Sequence, residues 1–359
     1  MVIHLFIKEI PPYLDNNMRI VYKIFVCILL LGVGHLSLAQ DINYSQFYEM
    51  PLLRNPALAG LFTGDIRIAG AYRSQWQSVT TPYQTMALGS EIKLSMGNNT
   101  DDFLTLGLQL SNDQAGDSKL SRTQIFPALN YHKLINSSSN SYISAGIMAG
   151  AVQQRFDPSK LQFDDQFVNG SFTATNPTRQ SFLNTNLTYW DVGAGLSFST
   201  EIGSDVHYYI GAALYHFTHP KVAFTAANDV VLNEKFVFNA GMSAATSDYD
   251  KVILYGDYFR QGGNSQVQGG ILFSHDLTQY DEDNKITLTG GAVYRWNDAV
   301  IPVVKLDYFK LAIGLSYDVN VSKLKSASQM RGGMELTLSY KSYLNILSSS
   351  LNKTRCPSF

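Results

Sequence analysis

Seven histidines and two cysteines are the residues of this 359-residue chain best suited to metal binding or nucleophilic chemistry. His4 and His35 fall in an N-terminal stretch that reads as a leader. His216 and His219 stand three apart at the end of a strand-like run. On a strand that spacing puts them on opposite sides of the pleat, whereas a shared metal at that spacing needs a helix. The acidic pairs and runs, Asp164-Asp165 and Asp281-Glu282-Asp283-Asn284, lack the spaced ligands and the glycine of a calcium loop, and they read as solvated turns. Serines and aspartates are present, but no nucleophile elbow and no phosphate-binding glycine loop accompanies them. The chain therefore reads as a non-enzyme, with no catalytic, cofactor or metal residue assigned.

The cysteines do not form a disulfide scaffold. Cys27 sits in an apolar run. It is preceded by Phe25 and Val26 where a lipoprotein would need small residues. Cys356, near the end, leaves two readings open: a thiol that pairs with a partner, or a tail that docks by its apolar side chains. Leu344, Ile346, Leu347 and Leu351 favour docking. Pro357 forbids a regular final strand through Phe359, so Leu344–Phe359 is expected to return to the periplasmic rim or the lumen.

What could position any function is set first by export. Arg19 and Lys23 form a basic region, Ile24 to Gly34 an apolar core, and Ser37-Leu38-Ala39 a small-residue end before Gln40. This is a signal peptide, too short to span a bilayer, with cleavage expected between Ala39 and Gln40. The residues before Met18 are interrupted by Pro11, Pro12 and Asp15, so translation is expected to begin at Met18. The chain is 45% hydrophobic but only 16% charged, with a net charge of −2. That balance excludes a nucleic-acid binder working through a basic surface. No later run is apolar enough for a membrane helix.

Instead, two-residue alternation recurs. Leu104, Leu106, Leu108 and Leu110 oppose Thr105, Gly107, Gln109 and Ser111, and Leu311, Ile313, Leu315, Tyr317 and Val319 oppose Ala312, Gly314, Ser316, Asp318 and Asn320. The same holds over 189–198, 236–243 and 334–341. One such strand would suit a soluble sandwich. Many of them, with a second face of Gly, Ser, Thr and Asn rather than Lys and Glu, suit a barrel with lipid outside and a crowded interior. Aromatic pairs at strand ends (Tyr189 and Trp190, Tyr294 and Trp296, Tyr340 and Tyr343) would form interfacial girdles. Fourteen strands are expected, over 65–73, 83–94, 103–112, 120–135, 141–155, 189–200, 206–218, 235–246, 251–260, 265–275, 285–296, 300–307, 310–319 and 332–343. The fold class is all-β: an outer-membrane barrel of about 14 antiparallel strands. It divides the chain into a leader (1–39), an N-terminal plug (40–64), the barrel (65–343) and a C-terminal periplasmic tail (344–359).

Connections after odd strands are the longer class, which puts them outside the cell and both termini in the periplasm. The longest, between Phe156 and Thr188, carries Phe163, Phe167 and Phe172 with Arg179 close by, the apolar and Arg groups on which interfaces draw. A lid folded over the barrel mouth is the competing reading of the same loop.

The plug segment is apolar (Tyr44, Phe47, Tyr48, Leu52, Leu53, Leu58) and turns at Asn55-Pro56-Ala57. Here motifs accumulate. Pro51-Leu52-Leu53-Arg54-Asn55-Pro56-Ala57-Leu58-Ala59-Gly60 is followed by Ala71-Tyr72-Arg73-Ser74-Gln75-Trp76, then Asn112-Asp113-Gln114-Ala115-Gly116, Tyr294-Arg295-Trp296, Gly314 to Leu324, and Gly332-Gly333-Met334-Glu335-Leu336. The tail Arg355-Cys356-Pro357-Ser358-Phe359 completes the series. In this order they resemble the PorP/SprF family across essentially the whole exported chain, and the Asn-Pro-Ala turn resembles the plug of FadL-type barrels. The resemblance implies an outer-membrane component of the type IX secretion system of Bacteroidota. It would serve export or cell-surface anchoring of a large surface protein with a type B C-terminal sorting domain, gliding adhesins included. Its other partners would be periplasmic secretion components and outer-membrane lipid. The alternative is a FadL-like channel for small hydrophobic substrates.

Overall fold

The computed structural model describes residues 41–77, 81–96, 101–173, 175–182, 184–203, 205–224, 230–278, 285–323 and 325–344. The expected leader with Ala39 and Gln40, the acidic run at 281–284, and the tail motif with Cys356, Pro357 and Phe359 lie outside these residues.

Strands β1 (Ile66–Gln75), β2 (Tyr83–Ser95), β3 (Phe103–Ala115), β4 (Leu120–Asn136) and β5 (Ser141–Arg155) follow one another around the wall. After the long loop with its short ladder β6 (Phe167–Val168) and β7 (Ser171–Phe172) come β8 (Asn186–Ile202), β9 (Val206–Tyr215), β10 (Lys235–Ala245), β11 (Asp250–Gln261) and β12 (Asn264–Thr278). The wall ends with β13 (Ile286–Arg295), β14 (Ala299–Tyr308), β15 (Leu311–Asn320) and β16 (Arg331–Ser342). Every neighbour in this series pairs antiparallel, and β1 pairs with β16, Ile66 opposite Ser342 and Gln75 opposite Gly333. The result is the expected closed barrel of fourteen strands. Closure satisfies the backbone of every strand, which is why strands cross a bilayer in this form.

The expected alternation is realised with apolar side chains outward. Leu106, Leu108, Leu196, Phe238, Ile271, Ile313, Leu315, Leu336 and Leu338 are exposed on the outer wall, while Thr105, Gln109, Asn130, Ser197, Asn239, Asp318, Glu335 and Thr337 are buried inside. Because neighbours alternate, Tyr189 and Trp190 cannot both join an outer girdle. Trp190 is 72% exposed, whereas Tyr189 is buried in the lumen. The interior also departs from the expectation of few charges: Arg67, Arg73, Glu91, Lys93, Asp191, Lys235, Asp257 and Arg295 are all buried there. A short seventh wall strand is a second departure. β9 stops at Tyr215 because His216 and His219 both adopt positive φ (61° and 47°), which ends the extended run.

One end of the barrel carries the long connections between β5 and β8, β9 and β10, and β15 and β16; the other has only short turns. The apolar core is inside, between wall and N-terminal segment. Phe47 packs with Leu272, Val293 and Ile301, Leu52 with Phe126 and Met148, and Tyr44 and Met50 with Ala69 and Ala87. Among the described residues no helix is long and apolar enough to cross a membrane.

An outward charge at mid-wall tests the lipid-facing assignment. Leu336→Arg should lower the stability in vesicles by about 2–4 kcal/mol, and Ser339→Ala, inside and without a side-chain hydrogen bond among the described residues, by much less. Equal effects in a denaturant titration would contradict the assigned faces.

Candidate functional site

The buried charges find their partners in residues 41–65, which run lengthwise through the lumen. At the long-loop end Asp41 accepts from Arg122 Nη1 at 2.5 Å and from Lys235 Nζ at 3.0 Å, with His216 Nε2 at 3.6 Å. His216 Nδ1 lies 2.5 Å from Asp191. One step inward, Glu335 accepts from the backbone N–H groups of Ser45 and Gln46, both at 2.7 Å. Arg73 and Arg295 each reach Asp318 Oδ2 at 2.6 Å, and the Ser45 hydroxyl donates to Asp318 Oδ1 at 2.6 Å.

At mid-lumen Arg54 makes a two-point contact with Asp257 (2.9 and 2.5 Å) and lies 4.8 Å from the centre of the Phe47 ring. This fork-to-carboxylate geometry is the strongest form of the pair. Glu49 accepts from Lys305 at 2.6 Å.

The Asn55-Pro56-Ala57 turn is built locally and held globally. Asn55 Oδ1 caps the short helix Pro56–Leu58 by accepting from Ala57 N at 2.8 Å, and its amide donates to the carbonyls of Leu196 and Ala212. Asn130 Nδ2 donates to the carbonyls of Ala57 and Ala59, and Ser197 also reaches Ala57. The wall leaves room for the turn with glycine. A Cβ at Gly195 would sit 1.9 Å from Asn55 Oδ1, and one at Gly146 2.5 Å from Pro56 C. Toward the short-turn end, Glu91 accepts from Gly60 N at 2.7 Å while paired with Arg67 at 2.6 Å. Asp65 then takes Leu344 N at 2.8 Å. The first and last described residues thus stand at opposite mouths, Asp41 beside the long loops and Leu344 beside the short turns. The expectation that both chain ends share one side concerns ends beyond these residues.

The candidate contact loop divides into a packed base and an exposed tip. Phe163 packs on Phe182 (6.0 Å between centres), Phe182 on Phe156 (5.0 Å), and Phe156 on Phe224 of the β9–β10 loop (4.7 Å). Phe167 and Phe172 are instead cross-strand partners on β6 and β7. Between them Val168-Asn169-Gly170-Ser171 forms a two-residue hairpin, with Asn169 and Gly170 at φ 55° and 83°. Two positive φ values in succession are the type I′ turn that Asn-Gly favours. Phe167 is 60% exposed and Val168 47%. Arg179 is exposed, and its backbone N–H donates to Asp165 Oδ2 at 2.5 Å, with the Thr178 hydroxyl at 3.2 Å. Of the sequence-selected residues, Phe167 and Phe172 are brought together; Phe163 serves the base. His219 lies 3.4 Å from Glu234, apart from the His216 cluster. Among the described residues no group of three or more His, Cys, Asp or Glu is placed to hold a metal ion.

The family model described as type IX secretion system membrane protein PorP/SprF matches residues 36–340. No curated protein matches the sequence. Among solved structures, the toluene transporter TbuX of Ralstonia pickettii is similar at 11% identity, with 82% of this chain and 94% of that chain covered and a TM-score of 0.48. A Pseudomonas aeruginosa FadL homologue is similar at 9% identity, with 80% and 92% covered and a TM-score of 0.46.

Two outcomes follow from this geometry. Gly195→Val should displace the Asn55 turn yet leave the closed wall, so the variant should keep heat-modifiable gel migration and gain single-channel conductance toward that of a chain lacking 41–60. Unchanged conductance in both would contradict a lumen filled by this segment.

The second concerns pH. Burial opposes charge on His216, but Asp191 and Asp41 outweigh it and hold its pKa above the ordinary histidine value. Burial likewise opposes charge on Asp41, but Lys235, Arg122 and His216 hold it well below the ordinary carboxylate range. A raised histidine stabilises the fold fully below its unfolded value of about 6.5, and that contribution is lost as pH rises through the raised value. The Asp41 contribution is lost only as pH falls through its depressed value. Between about pH 6 and pH 9.5, hydrogen exchange at 42–46, corrected for intrinsic rate, should therefore increase in the native chain and not in His216→Gln. Equal change in both would refute the role of His216 in holding Asp41.

Proposed function

The chain belongs to the type IX secretion system membrane protein PorP/SprF family, and we propose that it acts in that system as an outer-membrane anchor for an exported surface protein. It is a membrane component of the secretion apparatus and works with other components of it. In our reading the long-loop end faces the exterior and the short-turn end the periplasm, because outer-membrane barrels carry their longer loops outside. The cargo is a large secreted protein with a type B C-terminal sorting domain. Residues 41–65 act as a plug, and the wall serves as a platform.

The observation that carries this reading is the hairpin tip. Phe167 and Val168 stand exposed beyond the strand ends of the wall, on a loop whose base is fastened by Phe156, Phe182 and Phe224. Exposed aromatics on a pre-ordered support are what an interface uses, since little side-chain or loop freedom is lost on binding. The lid reading accounts for the base of the loop, where the aromatics pack on the neighbouring loop. It leaves the tip unexplained. Uptake of uncharged hydrophobic compounds is not favoured by the space left at the short-turn end, where Leu58, Leu61, Tyr255 and Leu272 share the lining with Glu49, Arg67, Asp276, Lys305, Asp307 and Lys341.

Phe167→Ser with Phe172→Ser should release the cognate surface protein into the medium, while the heat-modifiable barrel remains in the outer membrane. Cargo retained on the cell, or loss of the barrel itself, would overturn the anchoring role of the hairpin. Phe163→Ser, at the base, should act through loop order and reduce retention less.

A further inference from the structure

The lumen is not filled evenly. The N-terminal segment lies against β4, β5, β8 and β9 at the Asn55 turn and passes Glu91 of β2 on its way to β1. A cavity of about 350 Å³ remains between it and the strands from β10 onward at the short-turn end. That is within the range of small-molecule sites. Its lining reaches from Tyr48 and Glu49 to Phe309, in the turn between β14 and β15. The cavity therefore opens toward that mouth.

The walls differ in chemistry. Pro51, Leu58, Leu61, Ile253, Tyr255 and Leu272 form an apolar side. The rest of the lining is charged, with more cations than carboxylates, and most of the cations are matched: Arg67 by Glu91, Arg54 by Asp257, Lys285 by Asp276, and Lys305 by Glu49 at 2.6 Å and Asp307 at 3.5 Å. Lys341 is different. It follows Thr337 and Ser339 on the inward face of β16, its charged neighbours are Lys305, Glu49, Asp307 and Arg67, and its ammonium makes no ion pair or side-chain hydrogen bond among the described residues. Both nearby carboxylates are engaged by Lys305. A second orphan borders the same space: the Tyr48 hydroxyl is buried without a hydrogen-bond partner among the described residues. The ammonium can only donate and the phenol can donate, and an anion beside them would serve as acceptor to the one and is compatible with the other.

We propose that this cavity binds a small organic carboxylate with an apolar body, its carboxylate on Lys341 and its body against Leu58, Leu61 and Tyr255. A free small molecule and the terminal carboxylate of a polypeptide entering from the short-turn mouth share this chemistry. The site is independent of the hairpin contact, so its failure leaves the anchoring reading untouched.

The test uses the full chain in non-ionic detergent and calorimetric titration with phenylacetate, its neutral isostere phenylacetamide, and the tripeptide Gly-Gly-Phe as free acid and as amide. At least one free acid should bind saturably. Its neutral counterpart should bind tenfold or more weakly. Lys341→Met should lose the same tenfold, and Lys341→Arg should retain binding. Tighter binding of the peptide acid identifies a chain-end reader, and tighter binding of phenylacetate a small-molecule site. Melting temperature checks that Lys341→Met remains folded, and if it does not, the acid-against-amide comparison on the native chain decides alone. Equal binding of acid and neutral forms, unchanged affinity in a folded Lys341→Met, or no saturable binding of either acid would overturn the proposal.

Discussion

A charge enclosed by a wall of lipid-facing strands must be matched inside that wall. The fold is organised around this constraint. Asp257, Asp318, Glu335, Glu91 and Asp191 are fixed on the inner face by strand alternation, as are Arg67, Arg73, Arg295 and Lys235. Only some of them can match each other across the lumen. Residues 41–65 supply the rest: Arg54 for Asp257, Asp41 for Arg122 and Lys235, Glu49 for Lys305, and the backbone donors of Ser45, Gln46 and Gly60 for Glu335 and Glu91. Removing one partner of a buried pair leaves the other uncompensated, at a cost of about 3–5 kcal/mol. Segment and wall thus stabilise each other, although the wall closes through its own strand pairing.

The same constraint explains how the small residues are distributed. A chain that threads a fourteen-stranded lumen must bring its backbone within hydrogen-bond reach of the wall. Gly146 and Gly195 permit this at the Asn55 turn, where any side chain would occupy the position of Pro56 or Asn55. On the outer face no such demand exists, and leucine, isoleucine and phenylalanine take the corresponding positions. The barrel is polar and closely fitted within, apolar and exposed without, the reverse of a soluble sheet protein.

This division marks what a sequence can reveal. Alternation is local, so all fourteen wall strands were legible in it, together with closure and the long and short ends. The Asn55 cap was legible as a turn for the same reason, since its acceptor and donor lie two residues apart. Pairings such as Arg54 with Asp257, 203 positions away, or Ser45 with Glu335, carry no local signature. Arg54, Arg73, Arg295 and Glu335 stood inside the family motifs, and nothing in their spacing stated that they meet in the lumen. The second face of the strands reads as Gly, Ser, Thr and Asn with few Lys or Glu. Charges are few in total, but many of those few are directed inward. Two local details differ within the alternation: Tyr189 faces the lumen beside an outward Trp190, and the strand leading to His216 ends where that residue turns to positive φ.

The lumenal pairs also bear on what such a barrel can do. A channel that opens by expelling residues 41–65 would have to separate ion pairs at three levels, those of Asp41, Arg54 and Glu49, and strip the backbone donors from Glu335 and Glu91 together. Each separation leaves a charge facing only what water the emptied lumen admits. A small molecule diffusing through the wall could not offset that sum, because ligand binding shifts an equilibrium only by its differential affinity for the two states. A partner seated on the long loops makes no such demand. It needs a rigid support and an exposed anchor, and the hairpin of Phe167 and Phe172 stands on loops braced against each other above a filled lumen. In the role we propose, the interior that resists opening also gives the long loops their support.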